Sequence, residues 1–209
     1  MHGRLIEVAE RTWVGTGAIE RVPERSHPAD LARTADMPSW RAREFLAGRS
    51  LLRSMLRELY PHSAELEVTA SGNGKPHLLG DQGLGVSVSH DSGVVAVCVA
   101  AGRDVGVDVQ GAPEKVERAL VRRCLRAYAD EVLQLPSARR ALEFAWVWTV
   151  QEACVKATGE GIGGRPWAID VPPGAGAGTW GAYRWVSLRG ASEVPLSCAF
   201  GPAGEEGKA

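Results

Sequence analysis

No two cysteines of the chain stand close enough to suggest a zinc site or a disulfide framework. Cys98, Cys124, Cys154 and Cys198 are widely separated, with no CxxC and no Cys/His spacing. Three of them lie in apolar runs, VAVCVAA, EACVKA and LSCAF, as buried small side chains do. No charge of one sign dominates: 24 Lys and Arg face 25 Asp and Glu, for a net charge of -1. That excludes a global basic field for nucleic acid and makes any anion site a local one. An apolar run of the ~20 residues that a membrane span needs is also missing, and the start, MHGRLIEVAER, is charged too early for a signal peptide. The expectation is a soluble cytoplasmic chain with neither a nucleic acid nor a membrane as partner. What the 209 residues do have is 44% hydrophobic content, ample for a core.

Helical and strand periods divide the chain. After a strand-like start, RLIEV, the stretch SWRAREFLAGRSLLRSMLREL predicts a helix with Ser39 as N-cap. Its apolar face is Phe45, Leu52, Met55, Leu56 and Leu59, while Arg49, Arg53 and Arg57 recur every four residues, as a solvated face or an anion site would. The runs LGVSVSH, VVAVCVAA and VGVDVQ, separated by DSG and GRD, predict a three-stranded antiparallel meander. Its third strand would end beside the end of its first, bringing Asp108 and Gln110 near Ser89 and His90. Residues 114–135 and ARRALEFAWVWTVQEACVKATG predict helices, the second stopping at Gly159. IGGRPWAIDVP, TWGAYRWVSLRG and VPLSCAFG predict strands, and the tail 204–209 disorder. Each half of the chain, residues 1–103 and 104–203, thus offers a long helix and a small antiparallel sheet, an α+β arrangement.

Two carboxylates stand in apolar surroundings where a charge is costly. Asp108 lies among valines with no neighbour of opposite charge, and Glu152 shares a helix face with Trp148 and Lys156 at i−4 and i+4. Taken alone, Glu152 and Lys156 form an ordinary intrahelical pair worth ~0.3 kcal/mol. Together with Asp108 they suggest a hard-cation site, since magnesium accepts two carboxylates and keeps positions open for water and phosphate. His90, Lys75 and the arginines would then gather a polyphosphate. SGNGKP and GEGIGG match neither the P-loop nor the dinucleotide fingerprint.

GKPHL, VSVSHDSG, VGVDVQ and FAWVWTVQEACVKATGEGI, in this order and spacing, resemble the Sfp-type 4'-phosphopantetheinyl transferases, and RAREFLAGRSLLR resembles that family's N-terminal helix motif. The resemblance covers residues 40–165. It implies a pseudo-twofold α+β fold of two similar halves, with coenzyme A and Mg2+ at their interface. The implied reaction moves the 4'-phosphopantetheine arm of coenzyme A to a serine of an apo acyl or peptidyl carrier protein, releasing adenosine 3',5'-bisphosphate. By resemblance Asp108 and Glu152 bind the metal, with Gln110 at the position of a third ligand. Glu152 serves as base, and Lys156 neutralises the leaving diphosphate. Lys75, Ser89, His90, Arg41 and Arg49 match positions that hold the coenzyme's phosphates, with His90 expected nearer the diphosphate and Lys75 and the arginines nearer the 3'-phosphate.

Two positions depart from the family. Gln110 stands where a carboxylate is common, and Gln151 where lysine is common, which puts a contact to substrate or carrier in question. Two alternatives stay open beside a monomeric transferase. One is a coenzyme A-binding or regulatory protein of the same fold; the other is a magnesium-dependent hydrolase of a nucleotide diphosphate. Which carrier is served, in fatty acid, polyketide or nonribosomal peptide synthesis, does not follow from one sequence.

Overall fold

The structure, a computed structural model, describes residues 4–22 and 27–204. Among these residues ten strands and five α-helices follow in the order β1 (Arg4–Ala9), β2 (Thr12–Ala18), α1 (Pro28–Ala32), α2 (Ser39–Leu59), β3 (Val68–Ala70), β4 (Pro76–Leu78), β5 (Leu84–Asp91), β6 (Val94–Ala101), β7 (Val105–Val109), α3 (Arg118–Leu125), α4 (Ala129–Leu133), α5 (Ser137–Thr158), β8 (Ala177–Trp180), β9 (Tyr183–Ser187) and β10 (Leu196–Phe200). They form two four-stranded antiparallel sheets, β1-β2-β6-β5 and β7-β10-β9-β8, and a small β3-β4 hairpin. Among the described residues no helix is long and apolar enough to cross a membrane.

Strand alternation explains how the layers stack. Odd residues of β6, Val95, Val97 and Val99, pack against Leu51, Leu52, Met55 and Leu56 of α2. Even ones, Val94, Ala96, Cys98 and Ala100, meet Val105, Val107 and Val109 of β7 and Leu196, Cys198 and Phe200 of β10. The even residues of β7, Gly106 and Asp108, therefore point away from the first sheet's core and toward α5. The order of layers is α2, first sheet, second sheet, α5. Contact between β7 and α5 is close at Gly106, where a Cβ would come within 2.0 Å of the Ala153 carbonyl oxygen. Only glycine fits there, and its use brings the α5 backbone down onto the strand that carries Asp108.

The α+β class holds, and so do the long helices over 39–59 and 137–158, the second stopped by Gly159 at φ 77°. Each half has a four-stranded sheet and a long helix but a different connectivity: a hairpin precedes α2, whereas one strand precedes α5 and three follow it. Other expectations are corrected. Pro38 is the residue at the α2 N-cap, Ser39 opens the helix, and no side chain caps it. The helix expected over 114–135 begins at Arg118 and breaks at Arg126, whose φ of 49° is not helical. IGGRPWAIDVP forms 3-10 turns at Gly161–Gly164 and Pro166–Ala168, because Pro166 donates no ladder bond and Arg165 sits at φ 51°. TWGAYRWVSLRG contains a hairpin turn, so β8 and β9 pair with each other. Gly204 donates to the Gly102 carbonyl (2.6 Å), and the rest of the expected disordered tail lies outside the described residues. All four cysteines are buried free thiols.

The expected meander is half right. β5 and β6 form its hairpin, but β7 pairs with β10, in the other sheet. Asp108 still ends beside Ser89, because β7 runs parallel to β5 and is joined to it by side chains. Ser87 Oγ accepts from Val107 N (3.0 Å), Ser89 Oγ from Val109 N (3.3 Å), and Asp91 Oδ2 from Gly111 N (2.7 Å). Alternate polar side chains of one strand thus take the place of a backbone ladder, at a constant offset.

Candidate functional site

The last of these rungs surround a charged cluster. Ser89 Oγ donates to Asp108 Oδ1 (2.8 Å), and Lys156 Nζ donates to Asp108 Oδ1 (2.6 Å) and to Ser89 Oγ (3.1 Å). Asp108 arrives from β7, Ser89 from β5 and Lys156 from α5, one turn beyond Glu152. Among the described residues the Glu152 carboxylate accepts no hydrogen bond and forms no ion pair, and Asp108 Oδ2 accepts none either.

Electrostatics follow from this placement. Burial raises the Asp108 pKa above the usual carboxylate range, with Lys156 and Ser89 limiting the rise and the Asp91 charge adding to it. Burial also raises Glu152, the Asp108 charge adds to that, and Lys156 opposes it. Asp108 is thus a buried carboxylate paired with one ammonium, and Glu152 a partly buried one that lines a cavity with that same ammonium.

Glu152 and Lys156 line a cavity with Ser87, Val88, Lys75 and Gly159. A neighbouring cavity, bordered by the same Gly74, Pro76 and Val88, holds Phe45, Arg49 and His90. Arg49 is 93% buried by its 7% exposure, its guanidinium over the Phe45 ring (4.9 Å) and 3.6 Å from Asp30, with Nη1 unpartnered. Burial lowers its pKa, Asp30 opposing. His90 is exposed, its Nδ1 3.4 Å from the Glu44 carboxylate. Lys75 lines the cavity of Glu152 and Lys156, while its neighbours Gly74 and Pro76 also border the one that holds Arg49. Its Nζ donates to Asp104 Oδ1 (2.5 Å) and to the Ala157 carbonyl (2.6 Å).

Not every candidate is drawn in. Arg41 is exposed on the first turn of α2 and borders neither cavity. Gln110 is half-buried just past β7, on the strand face of Asp108, with its N–H on the Pro195 carbonyl (3.0 Å). The arginine stripe dissolves into separate contacts: Arg53 is fully buried on Asp30 (2.8 Å), Ala64 O (2.9 Å) and Leu66 O (3.1 Å), and Arg57 pairs with Glu65 (2.9 Å). Gln151 is likewise internal, its Nε2 donating to Cys124 O (2.7 Å) and Ile169 O (2.8 Å), so it is a brace between α3, α5 and the 169 segment. Sequence reasoning missed Asp91 and Asp30. The alternation Ser87, Ser89, Asp91 within an apolar strand was a usable signal for the first, and no pattern marks the second.

A hard divalent cation suits this donor set. Glu152 lines the cavity and Asp108, from a different element, is buried on the Lys156 that lines it too; three of the four carboxylate oxygens have no protein donor among the described residues. No group of three or more His, Cys, Asp or Glu able to hold a metal occurs among the described residues, so further ligands would come from the Gln110 amide, water or a bound phosphate.

Residues 104–175 match the family model described as the 4'-phosphopantetheinyl transferase superfamily. The chain is similar to 4'-phosphopantetheinyl transferase HetI of Nostoc sp., 33% identical over 127 residues, covering 57% of this chain and 53% of the relative. It is 32% identical over 124 residues to 4'-phosphopantetheinyl transferase psf-1 of Bacillus pumilus, covering 58% and 52%. With 4'-phosphopantetheinyl transferase pptA of Paxillus involutus it shares 30% over 139 residues, covering 56% and 53%. The chain spans about half the length of the curated relatives it matches.

Proposed function

We propose that this chain, a member of the 4'-phosphopantetheinyl transferase superfamily, transfers the 4'-phosphopantetheine arm of coenzyme A to a serine of an apo acyl or peptidyl carrier protein in a magnesium-dependent reaction. The observation that carries this reading is the Ser89–Asp108–Lys156 network beside a Glu152 carboxylate that has no protein donor among the described residues; Asp108, Glu152 and Lys156 lie inside the segment 104–175 that matches the family model, and Ser89 precedes it.

Asp108 and Glu152 would hold Mg2+, with Gln110 completing the set through its amide oxygen or a water. The ion, when bound, neutralises phosphate charge. Glu152 takes the proton of the carrier serine hydroxyl, directly or through water; burial and the Asp108 charge raise its pKa and so its basicity. The serine oxygen bonds to the phosphorus that bears the pantetheine arm. The bond between that phosphorus and the bridging oxygen breaks, and the pair of electrons leaves with adenosine 3',5'-bisphosphate. Lys156 neutralises charge on the leaving group, and Asp108 and Ser89 hold its ammonium in place. Arg49 and His90 border a cavity suited to a further phosphate of the coenzyme. In this division residues 1–103 bind mostly coenzyme A, and residues 104–203 supply metal ligands and proton transfer.

Incubation of the protein with Mg2+, coenzyme A and an apo carrier protein, followed by mass measurement of the carrier, tests the proposal. The carrier should gain one phosphopantetheine, and only with Mg2+ present. An unmodified carrier with coenzyme A bound would leave a binding protein, and cleaved coenzyme A without carrier modification a hydrolase.

A further inference from the structure

The turn Ser71–Lys75 runs between the two cavities, and its Gly74 borders both. Ser71 to Gly74 are exposed, and the turn's own bonds, Ser71 N to Lys75 O (2.9 Å) and Gly74 N to Ser71 O (2.8 Å), are internal to it. Lys75 carries the turn across to the second sheet's helix. Its stem lies so close to Gly159 that a Cβ there would stand 3.2 Å from Lys75 Cδ. Its ammonium takes the Ala157 carbonyl (2.6 Å), one of the last carbonyls of α5, which have no partner within the helix. A cation at a helix C-terminus is favourable.

The second acceptor, Asp104, has a fixed origin. It precedes β7, and its carbonyl accepts from Gly201 N (2.8 Å) just past β10, so its backbone belongs to the second sheet. Its carboxylate is exposed and takes no part in the Asp108–Lys156 cluster. An ammonium has three donors; Asp104 and Ala157 use two, and one remains for a ligand. A lysine already held in place also loses less rotamer freedom when a ligand arrives.

We infer that Asp104 is a positioning residue for the ligand site: its carboxylate pins the Lys75 ammonium to the end of α5, and through Lys75 it fixes the Ser71–Lys75 turn as the common wall of the two cavities. That the ligand is coenzyme A rests on the function proposed above; the clamp itself does not. Asp104 and Lys75 are then one device, and removing either member undoes the same thing.

Calorimetric titration of coenzyme A, with no carrier present, tests this. Asp104→Ala should raise Kd about three- to fivefold, the size expected of an ion pair partly open to water. Asp104→Glu should restore binding, and Asp104→Ala should add nothing in a Lys75→Ala background. In turnover the change should appear in KM for coenzyme A and not in kcat. An unchanged or lower Kd for Asp104→Ala, or additive losses in the double variant, overturns the inference. If the wild-type chain binds no coenzyme A, the function proposed above fails instead. The clamp is then judged by amide exchange of Ser71 and Gly74 in the ligand-free protein: faster exchange in Asp104→Ala supports it, and unchanged exchange overturns it.

Discussion

Ser89 Oγ donates to Asp108 Oδ1 at 2.8 Å across the seam between the two sheets. The same oxygen accepts from Val109 N (3.3 Å) and Lys156 Nζ (3.1 Å), so one hydroxyl joins the sheets and also orients the acidic cluster. The site therefore depends on the seam. Asp108 and Lys156 come from the second half of the chain and Ser89 from β5 of the first, so the cluster draws on both.

Glu152 should trade stability for activity. Replacement by Gln removes the proposed base and is expected to lower kcat about 10²-fold or more, read from carrier modification. The same change should stabilise the metal-free protein slightly. Burial and the Asp108 charge raise the folded-state pKa above the ordinary 4.5, so the folded chain holds that proton more tightly than the unfolded one. Glu152 therefore favours folding most below its ordinary pKa, and this contribution is lost as pH rises through the folded-state value. Glu152→Gln should melt about 1–3 °C higher than wild type at pH 8, solvent screening keeping the gain small, and the difference should shrink toward pH 5. A variant less stable at pH 8 would contradict this account of Glu152.

Gln151 is a structural brace, which its neighbour Glu152 conceals in the sequence. Gln151→Ala would leave the buried carbonyls of Cys124 and Ile169 without donors and should cost about 2–4 kcal/mol in denaturant unfolding. Gln151→Lys should cost less than Gln151→Ala, because an ammonium can donate to both carbonyls, and Gln Oε1 is already unpartnered. Activity of the folded fraction should change little in either variant, since the side chain borders neither cavity.

Legibility from sequence follows the period of each element. The two long helices could be read because their apolar spacing persists for five or more turns, and Gly159 gives a conformational stop. The strand ends bearing Ser89 and Asp108 could be read because valine alternates with polar residues. Membership of a sheet could not: β7 is spaced from β6 as a hairpin strand would be, yet its partners lie ninety residues downstream in β10. Nor did the i,i+4 spacing of Arg49, Arg53 and Arg57 reveal which faced a ligand, because the deciding partner, Asp30, comes from α1. Helix spacing sets which side chains share a face and leaves open what covers that face.

Asp30 is the test of that last point. It is 1% exposed and holds both Arg53 (2.8 Å) and, more loosely, Arg49 (3.6 Å). Asp30→Ala should destabilise the chain by about 3–5 kcal/mol, because it leaves the fully buried Arg53 uncompensated. The pair Asp30→Leu with Arg53→Met should recover part of that loss, since the fully buried Arg53 charge is then gone and only Arg49, held more loosely by Asp30 (3.6 Å), loses its carboxylate. Denaturant unfolding of the three variants checks this; a double variant no more stable than Asp30→Ala would mean that Arg53's bonds to Ala64 and Leu66 matter more than its charge.

Gln110 is where one substitution should act in opposite directions with and without magnesium. The residue follows β7 on the strand face of Asp108, and its backbone is held by the Pro195 carbonyl (3.0 Å), so a glutamate there would start from the same place. In the metal-free protein a third carboxylate near Asp108 and Glu152 would add repulsion to groups already raised by burial, and Gln110→Glu should melt lower than wild type by about 1–3 °C. Added Mg2+ gains one more anionic ligand, so the variant should bind the ion more tightly and its melting temperature should rise more steeply with Mg2+ concentration. Thermal melts of both proteins across a magnesium series, with no coenzyme A or carrier present, give both signs in one experiment. Parallel curves for the two proteins would mean that residue 110 does not face the metal, and the donor set would then reduce to Asp108, Glu152 and ligand or water oxygens.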